Sequence, residues 1–121
     1  MPKTKLAKLK AKLLKQWKAI IHSKEACELC DRDWGQLHAH HIEGRKGALL
    51  YDLENGILLC VQCHRRGVHH EASSIQAEFR LKIMARRGKE KMEELKQKRC
   101  LTTKHGIAHL EELIEYYKTL L

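Results

Sequence analysis

The sequence predicts an α+β fold in which a small metal-stabilised ββα centre is flanked by N- and C-terminal helices. Three observations carry this prediction. Apolar residues recur at helical spacing near both ends, two short strand-like segments lie between them, and two Cys-x-x-Cys pairs enclose those segments. The expected division is a Lys-rich amphipathic helix over 1–24, a metal-bound centre over 25–72 and a helical extension over 73–121.

Composition narrows the class of protein. A chain of 121 residues is expected to form one small domain. Its apolar runs are too short to span a bilayer or to form a secretory signal, so we expect a cytoplasmic protein with no membrane partner and with reduced cysteines. One Phe, two Trp and three Tyr are few aromatic residues for a core, which favours a fold stabilised by a bound ion.

Residues 4–22 have the pattern of an amphipathic helix. Its apolar stripe follows a spacing of three and four residues and consists of Leu6, Leu9, Leu13, Trp17 and Ile20. The first 24 residues contain eight lysines and no acidic residue, so almost all of the net charge of +9 lies there. The pattern suits an ordinary solvated helix, a membrane-surface helix or a nucleic-acid contact. The candidate phosphate contacts are Lys5, Lys8, Lys12 and Lys15.

The middle of the chain is typical of two strands and a short helix. Residues 37–42 and 57–59 are strand-like, and a short helix is expected from Val61 to near His69. Taken alone, Asn55-Gly56 is equally typical of a two-residue type I′ hairpin turn.

The last third of the chain is predicted to be helical. Apolar spacing predicts a helix from Ser73 to Arg87, where Gly88 interrupts it. Another turn or two is expected around Met92, and a regular stripe predicts a last helix over 107–121.

The cysteine pairs predict a structural zinc site. Cys27-x-x-Cys30 and Cys60-x-x-Cys63 are separated by 29 residues. Two intervening residues let both sulfurs of a pair reach one ion, and four thiolates fill the tetrahedral sphere of Zn²⁺, which makes the ion architectural. Scattered thiols or a single redox pair are the alternative, which the presence of two pairs disfavours. Cys100 is left over as an ordinary thiol.

Together with the two Cys-x-x-Cys pairs, or zinc knuckles, the residues between and after them form a recognisable sequence motif. Cys-x-x-Cys, His40-His41-Ile42, Asn55 and then Leu-Leu-Cys-x-x-Cys-His64 resemble the zinc-containing HNH endonucleases over about residues 17–72. The centre of that family is a ββα-metal fold. The resemblance implies a metal-dependent enzyme that hydrolyses DNA phosphodiester bonds.

The resemblance also implies roles for individual residues. His41 would be the general base, and Asn55 would brace the loop that orients it. His40 and His64 would bind the catalytic divalent ion. His69 is a further candidate ligand, although it falls one position after the place where the family often has a histidine.

The implied catalytic ion is Mn²⁺ or Mg²⁺, and Ni²⁺ is a further candidate. Nitrogen ligands favour Mn²⁺ over Mg²⁺. The expected partner is DNA, and a monomer or weak dimer with one centre per chain would nick one strand. Four basic residues flank the centre and could contact phosphates, namely Arg45, Lys46, Arg65 and Arg66.

Strand geometry sets a condition on this site. Neighbouring residues of a regular strand face opposite sides, so His40 and His41 could not both face one ion. Either the strand ends or bends there, as Gly44 and Gly47 would permit, or His38 and His40 form the inward pair. The resemblance favours the bend.

Two other functions compete with a simple nicking enzyme. Trp17, Tyr51-Asp52 and Gly88-x-Glu90 are loosely similar to phage recombination nucleases that cleave branched DNA junctions, although His64 stands where those usually have Asn. A non-catalytic zinc module that binds nucleic acid would explain the cysteines and lysines. That alternative leaves the clustered histidines without a role.

Overall fold

A computed structural model describes residues 4–65, 73–101 and 105–121. In chain order, its main elements are α1 (Lys5–His22), β1 (Leu37–His41), β2 (Gly56–Cys60), α2 (Val61–His64), α3 (Ser73–Arg87), α4 (Lys89–Arg99) and α5 (Ile107–Lys118). Two short 3₁₀ helices, Gly47–Leu50 and Leu53–Asn55, lie between the strands. The predicted α+β class is confirmed. No helix in these described ranges is long and apolar enough to cross a bilayer.

Helix α1 forms where the apolar stripe predicts it. The side chain of Thr4 caps its start by accepting a hydrogen bond from the backbone N–H of Ala7 at 3.1 Å. Leu13, Trp17 and Ile21 are almost fully buried, whereas the lysines of the helix are exposed. The helix therefore packs by its stripe and presents its positive charge to solvent.

The two strands form an antiparallel pair whose register runs from Leu37 opposite Cys60 to His41 opposite Gly56. The segment between them is not a tight hairpin. Asn55 ends the second 3₁₀ helix and Gly56 begins β2 with a φ of −98°. The type I′ turn alternative is wrong, because that turn requires positive φ at both central residues.

Strand β2 is completely buried because helices cover both faces of the sheet. Leu58 faces a core with residues of α1 and α5, among them Trp17 and Leu110. Ile57 and Leu59 face a second core with residues of α3 and α4. A continuous apolar strand is the sequence signature of such two-sided burial.

The free edge of β2 is covered by the first zinc knuckle. Glu28 behaves like a neighbouring strand residue, because its N–H donates to the Leu58 carbonyl at 2.9 Å and its carboxylate accepts from the Leu58 N–H at 2.7 Å. Arg87 of α3 donates to the same carboxylate at 2.9 Å and to the Gly56 carbonyl at 2.6 Å. Burial opposes ionisation of Glu28, but hydrogen bonds from Arg87, Lys24 and Leu58 lower its pKa overall.

Candidate active site

The four predicted zinc ligands meet at one point. The sulfur atoms of Cys27, Cys30, Cys60 and Cys63 all lie within 4.8 Å of one another. Among the described residues, no other group of three or more His, Cys, Asp or Glu ligand atoms is so close. The Sγ atoms of Cys30 and Cys60 are 3.6 Å apart. Two sulfurs about 2.3 Å from one tetrahedral ion would have nearly this separation, so the donor set fits a structural Zn²⁺.

The thiol of Cys60 ionises more readily than that of an ordinary cysteine. Burial opposes the thiolate of Cys60, but hydrogen bonds from the Cys63 backbone and from the neighbouring thiols lower its pKa to about 7. Burial and the adjacent sulfurs raise the pKa of Cys63. Four sulfurs that compete for protons at close range are typical of a site that releases protons when a metal binds.

The cysteine cluster brings α2, which ends at His64, beside β1. The imidazole of His64 lies 5.1 Å from that of His38 and 5.3 Å from that of His40, measured between ring centroids. Phe79 of α3 borders this histidine group, with its ring centroid 6.3 Å from that of His40. His40 and His64, the two predicted ligands of a catalytic ion, are therefore neighbours.

His40 is partly buried in this group, and its protonation is disfavoured. Burial is the largest cause, followed by the positive charge that His64 and His41 would carry, and together they lower the pKa of His40 to about 4. A neutral imidazole with an available lone pair is the form that binds metal ions.

His41 lies on the other face of the sheet. The strand stays regularly paired through His41 and ends there, so the bend favoured by the resemblance does not fall at His40-His41. The chain bends only from Ile42 onward, and His38 and His40 share a face. The ring of His41 stacks on Trp17 of α1, with a centroid distance of 4.0 Å and an interplanar angle of 4°. The end of β1 therefore separates two histidine environments.

A backbone carbonyl fixes the tautomer of His41. Its Nε2 lies 2.9 Å from the carbonyl oxygen of Leu50. A carbonyl can only accept, so Nε2 carries the proton and the lone pair of the neutral ring is on Nδ1. Burial lowers the pKa of His41 and the positive charges of Arg45 and Lys18 lower it further, although the Leu50 hydrogen bond acts in the opposite direction.

Asn55 braces the loop that supplies this carbonyl. Its side chain is fully buried. The amide nitrogen donates to the Gly44 carbonyl at 2.9 Å and to the Leu49 carbonyl at 3.0 Å, and the amide oxygen accepts from the Glu43 N–H at 2.8 Å. The three bonds join both ends of the segment that follows His41.

A buried carboxylate anchors the same segment to the C-terminal helices. Glu43 is almost inaccessible to solvent. Its two oxygens accept hydrogen bonds from Arg80 of α3 at 2.5 Å and from Arg99 of α4 at 3.2 Å. Because a buried charge needs such partners, the loop position is coupled to both helices.

The predicted phosphate contacts are all accessible where the structure describes them. Six basic side chains are exposed, namely Lys8, Lys12, Lys15, Arg45, Lys46 and Arg65. Lys5 is exposed as well and forms a surface ion pair with Glu111 at 3.3 Å. Two further candidates, Arg66 and His69, lie outside the described residues.

Sequence reasoning missed three components around His41. They are the Trp17 ring, the Leu50 carbonyl and the charge of Lys18, which acts on His41 electrostatically. A contact with a backbone carbonyl cannot be predicted from the identity of a residue. Trp17 could have been noticed, because it is a large aromatic residue on the buried stripe of a helix that covers the sheet.

Together, these features define a small α+β module with a four-cysteine metal site and with His40 and His41 at the end of its first strand. Residues 27–70 match the family model described as HNH endonuclease, so the family recognised in the sequence is confirmed for this stretch of the chain. No curated protein and no solved structure matches the chain. The match supports a nuclease or nucleic-acid-related function at the level of the family.

Proposed function

We propose that this protein is a metal-dependent endonuclease that nicks DNA as a monomer, with His41 as its general base. The observation that carries the proposal is the geometry of His41. Its Nε2 is committed to the Leu50 carbonyl and its ring is stacked on Trp17, so only Nδ1 is available to accept a proton. A base held in one tautomer beside a group of three other histidines is suited to phosphodiester hydrolysis.

The neutral form of His41 matches this role. Hydrolysis begins when a water loses its proton as it attacks phosphorus, and Nδ1 can accept that proton only if the ring is neutral. Burial and the positive charges of Lys18 and Arg45 favour the neutral ring. The same two cations would attract the phosphate diester towards the base.

His40 and His64 are the residues that would bind the catalytic ion, which we expect to be Mn²⁺ or Mg²⁺. Their neighbouring rings and the low pKa of His40 fit a metal that accepts nitrogen ligands. When bound, such an ion stabilises the negative charge that develops on the phosphate and on the leaving oxygen. His38 shares the face and contacts His64, and it is a further candidate for shaping this site.

The exposed lysines of α1 would supply affinity for the DNA backbone. Each Lys–phosphate contact releases counterions, so binding should weaken steeply with salt and show little dependence on sequence. Lys18 links this surface to the centre, because it lies on the same helix and acts electrostatically on His41.

The test is cleavage of supercoiled plasmid by the zinc-loaded protein in Mg²⁺, Mn²⁺ or Ni²⁺. We expect nicked circles from the wild-type protein and a loss of at least about a hundredfold in His41→Ala at every metal concentration. His40→Ala should differ, because added Mn²⁺ should restore part of its activity. Zinc content and circular dichroism serve as controls for folding. Equal rates for wild type and His41→Ala, or no cleavage by the wild type with any ion, would contradict the enzyme and favour the non-catalytic module.

A further inference from the structure

We propose that Trp17 is a positioning residue for His41, which means that α1 serves the reaction as well as DNA binding. This inference rests on the proposed function and adds a component to it. The indole and imidazole planes differ by 4° and their centroids are 4.0 Å apart, so the two rings are stacked. Trp17 has no exposed surface and offers His41 a rigid wall.

Trp17 is itself fixed to the loop that fixes His41. Its indole N–H donates to the Asp52 carbonyl at 2.8 Å, while the Nε2 of His41 donates to the Leu50 carbonyl at 2.9 Å. The two carbonyls are two residues apart in one loop. The stacked rings and the loop therefore form one closed unit in which each ring has a backbone anchor.

The strand position opposite His41 is adapted to this contact. Gly56 pairs with His41 across the sheet. A Cβ atom built on Gly56 would lie 2.3 Å from Cδ1 of Ile21 and 2.8 Å from Cζ2 of Trp17, both far inside contact distance. Only glycine lets α1 approach the strand closely enough for the indole to reach the imidazole.

The stack constrains a motion that the hydrogen bond alone leaves free. An imidazole held only through Nε2 can tilt about that bond, and Nδ1 then moves away from the attacking water. The torsion that sets the ring plane has a broad minimum, so the ring has little intrinsic resistance to tilting. Because displacements of about 1 Å at reacting groups can cost roughly a hundredfold in rate, the wall behind the ring should act on turnover.

The test compares Trp17→Phe, Trp17→Leu and Leu110→Ala in the plasmid assay with the zinc-loaded full chain. Phenylalanine keeps an aromatic face, and leucine removes it. Leu110 is fully buried in the same core but belongs to α5, so its truncation reports lost packing without loss of the stack. We expect kcat to fall ten- to a hundredfold in Trp17→Leu with KM for DNA unchanged. Trp17→Phe should recover most of kcat, and Leu110→Ala should retain kcat while lowering the melting temperature.

A second readout does not depend on turnover. The ring current of the indole should move the His41 ring-proton resonances upfield in the wild type, and this displacement should disappear in Trp17→Leu. Unchanged kcat in Trp17→Leu, or equal losses in the Phe and Leu variants, would overturn the positioning role. If Trp17→Leu does not fold, Trp17→Phe decides the question, and a loss as large as that of His41→Ala refutes it. If wild type and His41→Ala cleave equally, the enzyme proposal fails while the resonance positions still test the stack.

Discussion

His40 and His41 are adjacent in the chain, but they are surrounded by different halves of the molecule. On one face of β1, His40 contacts His64, which directly follows a cysteine of the cluster, and Phe79 of α3. On the other face, His41 stacks on Trp17 and bonds to the Leu50 carbonyl. The first environment gathers several imidazoles, whereas the second isolates one ring and fixes both its plane and its tautomer.

The difference fits the two chemical tasks of the proposed function. Metal ligands need neutral nitrogen atoms close to one another, and the neighbouring rings of His40 and His64 meet that need. A general base needs one lone pair in one direction, which the constraints on His41 provide. In the proposed function, the alternation of a regular strand would assign these two tasks to two consecutive positions.

The largest effect is expected when the cysteine cluster is broken. Cys60→Ser removes one thiolate from a site whose zinc affinity contributes directly to folding, with apparent values of about 10–16 kcal/mol in small zinc domains. We expect loss of bound zinc and of most helical circular dichroism. The contacts of His64 with His38 and His40 should be lost first, because His64 directly follows the cluster. Cys100→Ser is the matched control, because Cys100 is exposed and outside the cluster. A folded Cys60→Ser protein with one zinc per chain would contradict the assignment.

An intermediate loss of stability is expected from Asn55→Ala, which acts on the loop that follows His41. The substitution leaves the Glu43 N–H and the carbonyls of Gly44 and Leu49 without their buried partner. We expect a loss of about 3 kcal/mol in the free energy of unfolding, measured by urea denaturation of the zinc-loaded protein. Asn55→Asp keeps the acceptor but removes the donor, so it should be destabilised as well. A change below about 0.5 kcal/mol in both variants would show that the loop does not depend on this side chain.

The smallest effect is expected from Tyr117→Phe, which tests the α5 support of the same loop. The Tyr117 hydroxyl donates to the Tyr51 carbonyl, and its loss should cost about 1 kcal/mol at pH 7. Burial, followed by the charge of Asp52 and by Tyr116, raises the pKa of Tyr117 to about 12. A raised folded-state pKa gives stability that is complete below the unfolded value of about 10 and is lost as the pH rises towards 12.

The difference in stability between wild type and Tyr117→Phe should therefore be constant up to about pH 10 and then decrease. Tyr116→Phe provides the control, because Tyr116 is 56% exposed and the change should have almost no effect. A difference that grows above pH 10 would show that the hydroxyl is not held in its neutral form.

Local patterns were enough to predict both strands and the longer helices, but they missed the two 3₁₀ helices and gave only a turn or two where α4 runs from Lys89 to Arg99. The stripe ending near Ile21, the interruption at Gly88 and the apolar run after Gly56 are periodicity and turn signals, and each corresponds to an observed boundary. The two Cys-x-x-Cys pairs were enough to predict the cysteine cluster. The spacing within each pair can be read from the sequence, and a tetrahedral ion needs four ligands, so the two pairs are expected to meet. These predictions needed no knowledge of packing.

The contacts of His41 could not be predicted in the same way. Its partners Trp17 and Leu50 come from separate segments, and their placement depends on how α1 packs against β2 and on the path of the loop. The expectation of a bend at His40-His41 failed because it assumed one shared ion, whereas the strand keeps its alternation to the end. Packing between helices and a sheet decides such features, and no spacing rule encodes it.

The most direct test of the account is the tautomer of His41 in the zinc-loaded protein, determined by long-range ¹H–¹⁵N correlation with His41→Ala to assign the signal. We expect a neutral ring at pH 7 with its proton on Nε2 and an unprotonated Nδ1. A proton on Nδ1 would contradict this expectation, because the ring could then neither donate to the Leu50 carbonyl nor present a lone pair to the attacking water.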